Sequence, residues 1–249
     1  MLKSLLKSVS LLIITLATCA TVRGQEESSR DDRQEASSAV EPAYCSSIHD
    51  VGRLALPITN AGYFGHGHEG MFTRDCFTGH MISLCVYPKG SYSIYLSTGA
   101  LWVGAVVDRD TLVSTGVDAS GRNNEFHPAE APYGSLVYRS TLDPTSPRFE
   151  NAVSEHDFIA VYSDTCTRCA GVRTDVMDNR RHRPLNVEIT ERSYSWSYSY
   201  AQDFILFDCE IKNIGRERLR QMYVGLYIDG DVFVNLPVST ADYWRDDFC

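Results

Sequence analysis

From Ser193 to Ile228, polar and apolar side chains alternate in runs that fit strands and would scatter around a helix. In Ser193–Tyr200 (SYSWSYSY), Tyr194, Trp196, Tyr198 and Tyr200 fall on one face and serines on the other, because side chains point alternately to the two faces of a strand. Asp203–Asn213 alternates again, with Ile205, Phe207, Cys209 and Ile211 expected inward and Asp208, Glu210 and Lys212 outward. Leu219–Ile228 continues the pattern through Met222, Val224, Leu226 and Ile228. The face opposite the aromatic run carries only serine, so the rings are expected to form one wall of a core.

Upstream, Leu101–Val107 (LWVGAVV) predicts a buried strand. Asp108-Arg109-Asp110 predicts a polar turn and Thr111–Thr115 the returning strand of a hairpin. Asp118–Glu125 and the prolines at 128, 132, 144 and 147 mark loops. Asp157–Ser163 predicts another strand, and Leu185–Arg192 one that bends into the aromatic run. Helical period is nearly absent beyond the first two dozen residues. These elements predict an all-β protein, an antiparallel β-sandwich of jelly-roll or immunoglobulin-like type, over residues 45–249.

The N-terminus has a different character. Lys3 and Lys7, the apolar Leu11–Ala20 and the small-residue stretch Val22-Arg23-Gly24 predict a signal peptide over residues 1–24. The apolar run is too short to span a bilayer comfortably. Leu16-Ala17-Thr18-Cys19 resembles a lipoprotein box, but Thr18 fits it poorly, so cleavage near Gly24 is expected over a lipid anchor at Cys19. Residues 25–44, rich in Glu, Asp, Ser and Arg, predict a disordered acidic tether. The formal charge of −9 becomes −12 once Lys3, Lys7 and Arg23 are removed. That sign argues against nucleic acid, whose binding rests on basic contacts to phosphate.

Beyond Cys19, the cysteines are Cys45, Cys76, Cys85, Cys166, Cys169, Cys209 and Cys249. In an exported chain their default chemistry is the disulfide. Cys166-Thr-Arg-Cys169 predicts a local disulfide rather than redox catalysis, and Cys209 a small buried side chain.

Four pieces carry a family resemblance: Ile58–Gly65, Gly99–Gly116, Ser154–Thr165 and, best, the run HRPLNVEITERSYSWSYSYAQDFILFDCEIKNIG within His182–Val232. Together the chain resembles an uncharacterised family of secreted or cell-surface β-rich bacterial proteins, often with fibronectin-like modules and a type IX secretion sorting domain. The resemblance implies placement outside the cell and no established reaction. Neither such module follows here, and the expectation is an N-terminal part of a longer protein.

Three residue sets are candidate sites. Asp229, Asp231, Asp242, Asp246 and Asp247 gather carboxylates near the end of the chain; oxygen-rich loops suit calcium, although the spacing is not that of an EF-hand and an acidic turn has the same composition. His66, His68, Glu69, Cys76, His80 and Cys85 hold zinc-ligand types without the spacing of a known zinc motif, and a disulfide from Cys76 to Cys85 or another partner is the plainer expectation. Tyr194, Trp196, Tyr198 and Tyr200 would form a polysaccharide platform if they faced solvent. Ser154-Glu155-His156-Asp157 cannot form a catalytic triad along one strand. The expectation is an exported bacterial, non-catalytic structural or adhesive surface module, with calcium as its one candidate cofactor and cell-surface or extracellular matrix components, polysaccharide among them, as partners. A carbohydrate-binding module or part of a glycoside hydrolase is the alternative, and exposure of Trp196 and Tyr198 would favour it.

Overall fold

The computed structural model describes residues 9–11, 44–65, 74–91, 93–118, 123–129, 134–169, 171–174 and 179–230. They form two antiparallel sheets. The first contains β1 (Val9–Leu11), β8 (His127–Pro128), β9 (Val137–Arg139), β10 (His156–Ser163), β11 (Val187–Ser195) and β12 (Leu206–Asn213), in the order β1-β12-β11-β10-β8 with β9 also on β10. The second contains β2 (Ser46–His49), β3 (Leu56–Thr59), β4 (Tyr63–Gly65), β5 (Cys85–Val86), β6 (Ile94–Val107), β7 (Asp110–Thr115) and β13 (Arg220–Gly230). Its order is β13-β6-β4-β3-β2, and β5 and β7 also pair with β6. The expected tether at 25–44, Tyr44 apart, and the leader apart from β1 lie outside the described residues.

The sheets pack face to face. Leu56, Ile58, Phe64, Leu101 and Val103 of the second meet Phe158, Ala160, Tyr162, Val187, Ile189 and Phe207 of the first in one continuous core. The antiparallel β-sandwich expected from the alternating patterns is therefore the observed fold. The β6–β7 hairpin turns through Asp108 and Arg109, with Val107 opposite Asp110 and Asp108 at φ 54°. The β6 strand is twice the length expected, fourteen residues, because different stretches of it pair with β13, β7, β4 and β5.

The aromatic run departs from expectation in two ways. The β11 strand passes straight through Arg192 without a bend and ends at Ser195, so only the first part of Ser193–Tyr200 is a strand. Its faces are also inverted. Val187, Ile189, Glu191, Ser193 and Ser195 are buried, while Glu188, Thr190, Arg192, Tyr194 and Trp196 lie on the outer side. A one-residue change of parity moves every side chain to the other face, and three aliphatic or shielded positions upstream outweigh the serines. Along the same outer face, Arg192 reaches Asp208 and Glu210 at 3.8 and 3.6 Å, and Lys212 reaches Glu188 at 3.4 Å. The β12 strand keeps its expected faces, with Phe207 buried and Cys209 and Ile211 packed on the core. In β13, Met222 and Leu226 pack on the core, but Val224 and Ile228 are exposed, as befits a strand paired only with β6 among the described residues.

Candidate functional site

The two buried serines of β11 are there because of a histidine. His49, at the end of β2 and fully buried, lies 2.7 Å from the Ser195 hydroxyl through Nδ1 and 2.7 Å from the Ser193 hydroxyl through Nε2. Burial and the nearby His156 hold its pKa well below the usual value, so the ring is neutral. A neutral imidazole offers one donor and one acceptor, and hydroxyls adapt to either. The trio is a satisfied polar clasp between the sheets. Ser154 and Asp157 make a second local clasp: Asp157 accepts from the Ser154 amide at 2.7 Å and from its hydroxyl, and the same hydroxyl accepts from the Ser195 amide at 3.2 Å. These bonds tie the start of β10 to the end of β11 and leave the serine committed to structure.

Beyond Ser195 the chain leaves the sheet and forms an aromatic corner. Tyr194 stacks on Trp196 at 6.3 Å between ring centres, and Trp196 meets Phe204 at 6.3 Å. Tyr198 and Tyr200 stack at 5.6 Å with planes 23° apart, and they are 48% and 81% exposed. The corner is held from below. Glu155, buried, accepts from the Ser197 hydroxyl at 2.9 Å and from its amide. The Arg53 amide donates to the Gln202 carbonyl at 2.7 Å, and the Arg53 side chain pairs with Asp203 at 3.2 Å. Asp203 also accepts from the Tyr87 hydroxyl at 3.1 Å. Gly52 allows this close approach: a Cβ there would sit 2.4 Å from the Gln202 carbonyl oxygen. Tyr198 and Tyr200 thus stand exposed on an anchored turn while Tyr194 and Trp196 are half-buried, so the run is not the buried wall expected from the pattern.

At the other end of β11, a cleft of about 300 Å³ opens between the β6–β7 hairpin and residues 179–186. At its base, His182 lies 3.1 Å from the Glu125 carboxylate through Nδ1 and 2.7 Å from the Asp164 carbonyl through Nε2. Nε2 is hydrogen-bonded to that carbonyl, and Nδ1 lies within ion-pair distance of the Glu125 carboxylate without an aligned hydrogen bond. Burial opposes a charge on the ring, but Glu125 and Asp164 outweigh it and raise the His182 pKa. The Asp164 carboxylate accepts from Ser114 at 2.6 Å and from the amides of Leu185 and Val187 at 2.6 and 2.9 Å, fixing the entry to β11. Burial still raises the Asp164 pKa.

Among the described residues, the disulfides are Cys45–Cys76 and Cys166–Cys169. The local CxxC bridge is as expected; of the partners left open for Cys76, the structure selects Cys45 and not Cys85, which is buried. The bridge also removes Cys76 from any zinc set. Of the remaining zinc candidates, His66, His68 and Glu69 lie outside the described residues and His80 is exposed. Of the calcium candidates, Asp229 is half-buried at the end of β13, and Asp231, Asp242, Asp246 and Asp247 lie outside the described residues. Among the described residues, no group of three or more His, Cys, Asp or Glu is placed to hold a metal ion, and no helix is long and apolar enough to cross a membrane.

No protein-family model, curated protein or solved structure matches the chain. The site is therefore described by its own chemistry. The arginines of the cleft were not singled out from the sequence, although the signal was present: Arg180-Arg181-His182-Arg183 is a basic run in a chain of charge −9.

Proposed function

We propose that this protein is an exported, non-catalytic adhesive module that attaches to polysaccharide through the aromatic corner at the end of β11. One observation carries the reading: Tyr198 and Tyr200, stacked on each other, face solvent on a turn that Glu155, Arg53 and Gln202 anchor. Large rings are costly to leave in water, and exposed apolar patches commonly mark interaction sites. The apolar face of a sugar ring suits such a surface, with Tyr hydroxyls available at its edge. Export is part of the same proposal, supported by the two disulfides, which persist in oxidising surroundings, and by the basic and apolar N-terminal segment. The resemblance to secreted β-rich bacterial proteins points the same way.

The test is sedimentation of the purified chain with insoluble neutral polysaccharides: cellulose, chitin and xylan. At least one should retain the protein, and the Tyr198→Ala/Tyr200→Ala variant should bind it about tenfold more weakly, a central aromatic contact being worth about 1–2 kcal/mol. Equal retention of variant and parent, or no retention by any of the three, would refute the reading. N-terminal sequencing of the secreted product should begin near Gln25; an intact Met1 would remove the export part.

A further inference from the structure

The cleft at the opposite end of β11 has a different chemistry from the aromatic corner. Its outer rim carries the guanidinium groups of Arg180, Arg181 and Arg183, all exposed. One wall is the indole of Trp102, which is held rigidly: its Nε1 donates to the Val117 carbonyl at 2.8 Å, and its ring stacks on Tyr227 at 5.7 Å with planes 11° apart. Asn123 and Glu125 line the base.

The carboxylates of the cleft are largely committed to the protein. Glu125 accepts from the Thr115 amide at 3.0 Å and neutralises His182. Asp118 accepts from the Asn123 amide at 3.3 Å. Of the arginines, Arg183 pairs with Asp110 at 2.5 Å, and Arg180 reaches the Thr111 carbonyl at 3.5 Å. A planar guanidinium has donors enough to keep such a bond and present others to a ligand. The rim is thus a local positive surface on an acidic protein, beside a fixed indole face. Its volume, about 300 Å³, is at the small end of ligand pockets.

We propose that this cleft binds a carboxylate-bearing sugar unit of an acidic polysaccharide. The carboxylate would meet Arg180 and Arg181 in the forked, charge-assisted geometry that guanidinium and carboxylate share, and the sugar ring would lie against Trp102. The overall charge of −9 disfavours any long polyanion alike, so the assignment is to one carboxylate-bearing sugar unit seated at the rim beside Trp102, not to a charged chain tracked along the surface. The site is separate in space and chemistry from the aromatic corner, so it does not depend on that surface being used.

Calorimetric titration of the full chain with short oligomers of galacturonate, mannuronate and glucuronate tests the proposal, with the corresponding methyl esters as neutral controls. At least one acid should bind, its ester about tenfold or more weakly. The Arg180→Gln/Arg181→Gln variant should lose about tenfold in affinity for that acid while melting like the parent, a loss of the size expected for a charge-assisted contact. The Tyr198→Ala/Tyr200→Ala variant should bind the acid normally, which keeps this site distinct from the one above. Absence of binding to all three acids, equal affinity for acid and ester, or an unaffected arginine variant would overturn the assignment. Tighter binding of a single-stranded RNA of equal charge would overturn its assignment to a sugar.

Discussion

Tyr162 donates its hydroxyl to the Glu191 carboxylate at 2.8 Å, in the middle of the space between the sheets, where the tyrosine is fully buried and the glutamate nearly so. Among the described residues the carboxylate has this one side-chain bond to replace its hydration, and burial raises its pKa from 4.5 to about 7. The same surroundings push up the Cys209 thiol, through burial first and then the neighbouring Glu191 and Asp208 charges.

The pair fixes a direction of pH dependence. A carboxyl whose folded pKa is raised contributes stability that is present below its unfolded value and is lost as pH rises toward the folded one. With values of 4.5 and about 7, the loss at Glu191 between those pH values is on the order of 3 kcal/mol. Glu191→Gln keeps an acceptor for Tyr162 and removes the titration. Its unfolding midpoint should exceed the parent's at pH 8 and approach it near pH 4.5. Denaturant unfolding at both pH values checks this, and an equal difference at the two would contradict the pairing.

His182 should act in the same pH sense through a cation. Its folded pKa is raised above 6.5, so its contribution is complete below pH 6.5 and is lost as pH climbs through the folded value. His182→Gln should cost about 3 kcal/mol at pH 6, the scale for breaking a buried ion pair, and distinctly less at pH 9. A pH-independent cost would mean that the ring is neutral in the native protein.

The disulfides should differ in weight. Cys45–Cys76 closes a span of 31 residues and Cys166–Cys169 a span of 3. By loop-closure entropy the longer is worth about 3–4 kcal/mol and the shorter much less. Cys45→Ser/Cys76→Ser should therefore lower the melting temperature far more than Cys166→Ser/Cys169→Ser. Similar losses from both would show that strain or local packing, not loop closure, dominates.

Strand positions were legible wherever a long alternating run had aliphatic side chains on one face: Phe207, Cys209 and Ile211 turned inward as the pattern required. The β6–β7 hairpin was equally plain from its polar turn. The aromatic run was misread because hydrophobicity was judged over the run alone. Val187 and Ile189 set the parity of β11, and the serines they carry inward are made tolerable by His49, which is 144 and 146 residues away in sequence. No local pattern reveals a partner at that distance. Cysteine pairing was hidden for the same reason. The cleft needed both the basic run before β11 and the distant hairpin bearing Trp102, which only the sheet order brings together.

The nine residues of β11 set a spacing as well as a fold. At roughly 3.3 Å per residue the strand holds its two flanking segments about 30 Å apart, one edged with guanidinium groups and the other with phenol rings. A strand in mid-sheet does not stretch or pivot. If both proposed surfaces are used, a polymer long enough to reach from end to end would gain the effective-concentration advantage of two tethered contacts, whereas a short oligomer could occupy only one, and the length of the strand would set that threshold.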